Sequence, residues 1–349
     1  MSLQTPLCSL LNIQHPVLLA GMARVSGPLL AAAVSNAGGL GTVGGFGYTT
    51  AQLSGILTEL KSSLRDNSLP FGVDLALPRV GDGARKTNHD YTHGHLDELI
   101  EVVISHGAKL FVSAVGVPPE RVIKRLHEAG ILIMNMVGSP KHADKAFKLG
   151  VDIVCAQGGE GGGHTGDIPF SILIPAVVDV AKNYRSPLTG QPALVVAAGG
   201  VSDGRSLAAS LMLGASGVWV GTRFVASLES AASKINKEAV VSARFGDTLR
   251  TIVVTGRPLR VLSNGYIREW EKRPDEILRL TQQGIIPMVH DLDESRDVDI
   301  PFLMGEVSAV VNDIKSAQMI VEEMVKEAIV MLKLGNTYIK PWNGSVSKL

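Results

Sequence analysis

His164 closes the run Gln157-Gly158-Gly159-Glu160-Gly161-Gly162-Gly163-His164-Thr165-Gly166-Asp167, with five glycines in the six positions 158–163. An imidazole is the side chain whose free pKa lies nearest neutrality, so it can take or give a proton at working pH. Glycines remove Cβ atoms where a flat or charged ligand must approach the backbone. Together they suit proton transfer beside a bound group. The bland alternative is a mobile glycine loop with a chance histidine.

Two further turns suit an anion. Ala198-Gly199-Gly200-Val201-Ser202-Asp203-Gly204 follows one apolar run and opens a helix. Gly221-Thr222-Arg223-Phe224 follows the next run. Backbone N–H groups and the Thr222 hydroxyl can donate to a phosphate there; the alternative is two ordinary tight turns. Ala20-Gly21-Met22 ends the first apolar run in a small bend that could seat a planar ring. Met22 by itself reads as core. Asp74, Asn135 and Gln157 fall at or near strand ends, where a polar ligand edge would satisfy groups that are costly to bury unpaired. A ring, a phosphate and several polar partners imply flavin mononucleotide. A sugar phosphate would also fit the turns, but explains the ring-sized bend less well.

These residues need a frame that brings many turns to one end. Eight short apolar runs alternate with helical patterns: 15–22, 40–44, 71–77, 110–115, 131–137, 151–156, 194–198 and 218–220. The runs are continuous rather than alternating, as expected of parallel strands buried on both faces. This predicts a closed (β/α)8 barrel, a TIM barrel, with every turn above at its C-terminal end. An open doubly wound sheet is the alternative. Past the eighth run the pattern changes. Residues 229–250 read as helical, 255–262 as a turn and an extended segment, 270–283 as charged helix, and 310–333 as a long amphipathic helix. The expected division is an FMN-binding barrel over 1–224, a helical cap over 225–305, and a closing barrel helix with a tail over 306–349.

Composition narrows the partners. The 33 basic and 33 acidic residues balance, and no basic run appears, so neither nucleic acid nor an anionic membrane is an expected partner. No apolar run is long enough for a membrane span. Cys8 and Cys155 imply no disulfide framework and a reducing compartment, and Cys155 reads as core. The sequence ends Ser347-Lys348-Leu349, which a peroxisomal import receptor reads at a free C-terminus. A peroxisomal location is expected, and otherwise a cytoplasmic one. A homo-oligomer is compatible with the chain.

The motifs resemble those of the flavin-dependent nitronate monooxygenases, the 2-nitropropane dioxygenases, especially the fungal members. The resemblance covers nearly the whole chain. It rests on Pro16-Val17-x-x-Ala20-Gly21-Met22, Gln157 to Gly166, Ala198-Gly199-Gly200, Gly221-Thr222-Arg223-Phe224 and Thr255-Gly256-Arg257-Pro258. It implies that His164 is the catalytic base. It also implies FMN contacts at Ala20, Gly21, Met22, Gln157, Gly162, Gly200, Gly221 and Thr222. The flanking Gly163, Gly199, Trp219 and Val220 complete the expected set, with Asp74 and Asn135. Asp74 stands where the family more often has asparagine. The implied reaction oxidises alkyl nitronates, and in fungal members neutral nitroalkanes, with O2 to carbonyl compounds and nitrite. A helix N-terminus near Ile168 is expected to favour the neutral ring of His164.

Other features carry less. His89, His93 and His95 have metal-like spacing, but no carboxylate or cysteine completes a site, and a solvated or lid-forming loop explains them. Glu160 reads as a solvated loop acid. The glycines near Gly39 to Gly47 lack the acid about 20 positions on that a dinucleotide fingerprint carries, so NAD(P)H is not expected. Two competing functions stand: a flavin-dependent enoyl-thioester reductase, and an FMN-binding protein without turnover.

Overall fold

The structure, a computed structural model, describes residues 3–77 and 90–340. The barrel strands are β1 (Val17–Leu19), β2 (Gly41–Gly45), β3 (Phe71–Ala76), β4 (Leu110–Val115), β5 (Leu132–Val137), β6 (Ile153–Gln157), β7 (Leu194–Ala198) and β8 (Gly217–Val220). All pair in parallel, in chain order from β2 to β8, and β8 returns to β1. The seam between β1 and β2 is closed by a parallel bridge from Leu18 to Leu40. There Leu19 N–H donates to Leu40 O at 2.9 Å, and Leu40 N–H to Val17 O at 3.0 Å. A closed barrel leaves no sheet edge to template aggregation.

Side-chain alternation sorts each strand into two layers. Leu18, Ala20, Leu110, Val112, Leu132, Met134, Ile153, Cys155, Val196, Ala198 and Trp219 fill the barrel interior. Val43, Val73, Phe111, Ile133, Val154, Val195 and Val218 face the surrounding helices. This is why the runs read as continuous apolar stretches. Leu7, Cys8 and Leu11 of the helix Pro6–Leu11 join the interior cluster.

The helices lie near their expected places. Thr49 caps Thr50–Ser63 with a reciprocal bond to Gln52, and Ser139 caps Pro140–Lys148. The last helix is Ala317–Thr337, capped by Ser316, and starts later than the 310 expected from periodicity. It packs between Gly204–Met212 and Pro28–Asn36, in the place of the eighth barrel helix.

The segment after β8 is mixed rather than all helical. Helix Lys234–Ser242 ends at an extended Ala243, and Gly246 takes a left-handed φ of 88°. Asp247 then accepts from Arg244 N–H at 2.8 Å, a turn that no helix can continue through. The residues expected to extend that helix instead form a strand, Thr248–Thr251, antiparallel to Leu259–Leu262. Helices Gly265–Glu271, Pro274–Gln282 and Pro287–Asp293 pack on this ladder around Trp270, Ile277, Leu280 and Met288. Buried Asp291 accepts from Trp270 Nε1 and Tyr266 OH, each at 2.8 Å, and pairs with Arg296 at 2.9 Å. The ladder gains a third strand, Gly163–His164, from the loop after β6. Barrel and lobe are thereby joined at the histidine.

Among the described residues no helix is long and apolar enough to cross a membrane. The tail Ser347-Lys348-Leu349 and His89 lie outside the described residues.

Candidate active site

Gln157 ends β6 and fixes the loop beyond it. Its Nε2 donates to the carbonyl of His164 at 2.8 Å, across seven residues. Thr165 Oγ1 closes the other side onto Gly158 O at 2.8 Å. Gly162 is packed face to face with Gly305: a Cβ there would stand 2.6 Å from Gly305 N. Gly163 has a φ of 69°, which turns the chain so that His164 pairs with Leu259. His164 Nε2 lies 3.0 Å from Thr255 Oγ1. His164 is exposed at the barrel mouth, yet protein packs densely around its ring. Burial first, and the Arg257 guanidinium second, lower its pKa to about 4.

The source of the neutral ring therefore differs from the expected helix N-terminus. Glu160 occupies that terminus: both carboxylate oxygens accept from Phe170 N–H, at 3.0 and 3.1 Å. It is a helix-capping acid rather than a solvated one, and it neutralises the dipole that was to act on His164.

The end of β1 is built around Asp74. Asp74 shares the inner face of β3, opposite Gly44 of β2. A Cβ on Gly21 would overlap its carboxyl group, so only glycine fits there. Met22 N–H is held by Ser26 Oγ at 2.8 Å, and Ala23 takes a left-handed φ of 40° to complete the bend. Asp74 is 5% exposed, and its Oδ1 has no hydrogen-bond partner. Burial pushes its carboxyl well above the usual carboxylate range. The thiol of Cys155 is likewise pushed up, by burial and then by Asp74, which marks the two as neighbours within the barrel. A buried oxygen without a partner costs about 1–3 kcal/mol, so this one is poised for a ligand.

One anion turn adjoins this bend and the other adjoins the histidine loop. Gly199 and Gly200 both take left-handed φ, 78° and 82°, so their N–H groups escape the strand pattern. A Cβ on Gly199 would stand 2.6 Å from Gly158 O, which ties this turn to the histidine loop. A Cβ on Gly221 would lie 3.5 Å from both Ala20 Cβ and Met22 Sδ. Thr222 Oγ1 accepts from Gly305 N–H at 2.9 Å, which leaves its own hydrogen to donate. Arg223 is turned away: it pairs with Asp313 at 2.8 Å.

The fold thus gathers Ala20, Gly21, Met22, Asp74, Gln157, Gly162, Gly163, His164, Gly199, Gly200, Gly221 and Thr222 at one mouth. Three expected residues are placed differently. Asn135 shares the helix-facing side of β5 with Ile133 and Val137, and donates to Met136 O at 3.0 Å. Val220 packs outward, its carbonyl taken by Ala20 N–H at 2.9 Å. Trp219 lies in the inner core below the mouth. His93 sits in the loop before the helix Leu96–Ser105 and His95 at its start, where His95 faces Glu98 at 3.5 Å. No metal-binding group of three appears among the described residues.

Sequence reasoning missed Thr255, Arg257 and Gly305 as parts of this site, although the first two lie in a motif it singled out. It also missed the rim pair Phe46 and Tyr91, whose ring centroids are 4.3 Å apart. Arg257 also acts electrostatically on Tyr91.

Comparison with known proteins places the chain among relatives. A probable nitronate monooxygenase of Staphylococcus saprophyticus is 34% identical over 79% of this chain and 83% of its own. A Mycobacterium tuberculosis protein, (3aS,4S,5R,7aS)-5-hydroxy-7a-methyl-1-oxo-octahydro-1H-indene-4-carboxyl-CoA dehydrogenase, is 30% identical over 97% of this chain and all of its own. The structure of nitroalkane oxidase from Streptomyces ansochromogenes superposes with a TM-score of 0.76 and 27% identity, covering 94% of this chain and 99% of that one. The nitronate monooxygenase family model matches residues 4–327. With a mouth of this architecture and a match of that extent, the chain belongs to the nitronate monooxygenase family.

Proposed function

We propose that this protein is an FMN-dependent enzyme that oxidises alkyl nitronates, and neutral nitroalkanes after deprotonation, with O2 to carbonyl compounds and nitrite. The observation that carries the reading is His164: an imidazole kept unprotonated at the barrel mouth, beside two glycine turns and one buried oxygen without a partner. The residues fit the cofactor. Gly199, Gly200, Gly221 and Thr222 would hold its phosphate, and Ala20, Gly21, Met22 and Asp74 would border its ring. FMN, when bound, accepts electrons from the substrate and passes them to O2. The chain's own part is to bind, orient and move a proton. His164 takes the α-proton of a neutral nitroalkane, and the resulting imidazolium holds the nitronate anion. Arg257 supplies a second, fixed positive charge on the same side.

The test is an absorbance spectrum of the purified protein followed by oxygen uptake and nitrite release with a nitronate. A flavin spectrum without nitrite release would leave the holder without turnover. A second reading, a flavin-dependent enzyme acting on a thioester, is favoured by the CoA dehydrogenase relative. Anaerobic bleaching of the flavin by NADPH, rather than by a nitronate, would select it. We further propose that Ser347-Lys348-Leu349 directs the chain to peroxisomes through the import receptor. A fluorescent fusion placed at the N-terminus should enter peroxisomes and remain cytosolic when these three residues are deleted.

A further inference from the structure

We infer that Thr255 is the positioning residue that fixes the tautomer of His164, holding the hydrogen on Nε2 and leaving the lone pair of Nδ1 as the basic site. This rests on the reading of His164 as the base. The geometry carries two contacts at one hydroxyl. His164 Nε2 is 3.0 Å from Thr255 Oγ1, and Thr255 Oγ1 donates to the Arg257 carbonyl at 3.3 Å. A carbonyl can only accept, and a threonine hydroxyl owns a single hydrogen. Only one distribution makes both contacts hydrogen bonds: Nε2–H donates to Oγ1, and Oγ1–H donates to the carbonyl. Nδ1 then carries no hydrogen and keeps its lone pair.

The surrounding backbone holds this relay in place. Thr165 N–H donates to Pro258 O at 3.3 Å, and His164 pairs with Leu259. Gly256 N–H donates to Ile252 O at 2.8 Å, which closes the turn that presents Thr255. When Nδ1 takes a substrate proton, the ring becomes cationic and its Nε2–H bond to Thr255 becomes charge-assisted. The carbonyl behind the hydroxyl makes its oxygen a better acceptor. Thr255 therefore orients the base before the transfer and favours the charged ring after it. It acts through His164, as the third member of a base-orienting constellation does.

The test uses the full chain loaded with FMN and two variants, Thr255→Val, which keeps the shape, and Thr255→Ser, which keeps the hydroxyl. Nitrogen NMR of the imidazole reads the tautomer directly. The wild type should show hydrogen on Nε2, Thr255→Val should lose that preference, and Thr255→Ser should restore it. Turnover of a neutral nitroalkane should fall by an order of magnitude or more in Thr255→Val at little change in KM, by analogy with bases left in the wrong tautomer. Turnover of preformed nitronate should fall less than that of the neutral nitroalkane, and the flavin spectrum should be unaffected. Hydrogen on Nδ1 in the wild type, or an unaltered tautomer in Thr255→Val, would overturn the inference. The NMR result stands whatever the substrate, so it separates failure of this inference from failure of the functional reading.

Discussion

An imidazole with a pKa near 4 remains a base over the whole physiological range, and this sets the expected pH behaviour of His164. Nitroalkane turnover should show no inflection from this ring between about pH 5 and 8, unlike a free histidine near 6.5. In Arg257→Gln the ring should titrate at higher pH, read by NMR, because a neighbouring positive charge is removed. The stability consequence has a definite sign. The unfolded ring binds a proton below about 6.5 and the folded ring only near 4. The ring's share of stability is therefore full above 6.5 and is lost as pH falls toward 4. His164→Asn should retain flavin absorbance and lose roughly 10²–10⁴-fold in nitroalkane turnover, with a smaller loss on preformed nitronate. Equal losses on both would make the residue a binder of anions only. Asp74 has the opposite sign: its raised pKa makes the fold bind more protons than the unfolded chain above about pH 3.9. Cofactor-free protein should lose stability from this group as pH rises, and Asp74→Asn should flatten that dependence in thermal melts.

The strands were legible because burial on both faces leaves continuous apolar runs, and the glycine turns because close packing excludes Cβ atoms. The partners of those turns were not. Thr255 lies 91 residues from His164, and Gly305 lies 83 from Thr222; no local pattern encodes such pairs. Glu160 was misread for a local reason: an acid in a glycine loop looks solvated until a helix start is seen to fall on it. The strand Thr248–Thr251 was hidden inside a charged stretch, because three of its four residues are only partly buried and its partner strand is supplied by later residues. Two predictions belong at this level. Gly199→Ala places a Cβ on a left-handed residue against Gly158, costing about 1–2 kcal/mol from the backbone alone, and should abolish FMN retention on gel filtration. Trp270→Ala empties the centre of the lobe's core and removes one of the donors to the Asp291 carboxylate, so it should cost about 3–5 kcal/mol in denaturant titration.

Across the whole molecule, a closed barrel with its own inner and outer layers is joined to a smaller lobe with a separate core around Trp270. The barrel supplies the rigid rim that holds Asp74, Gly200 and Thr222, while the lobe supplies Thr255 and Arg257. Among the contacts that fasten them, Met304-Gly305-Glu306 lies along the histidine loop, with Glu306 N–H on Glu160 O at 2.9 Å, and Arg260 donates to Gly159 O at 3.1 Å. The three-stranded ladder through Gly163–His164 is the feature with the widest reach. A proposed base that is also part of an edge strand of the smaller unit should share that unit's melting behaviour. On gentle heating, proton abstraction should therefore fail while the larger unit is still folded and still yellow, and cooling should restore both together. Inactivation that tracks loss of flavin, instead of preceding it, would show that the two units come apart as one.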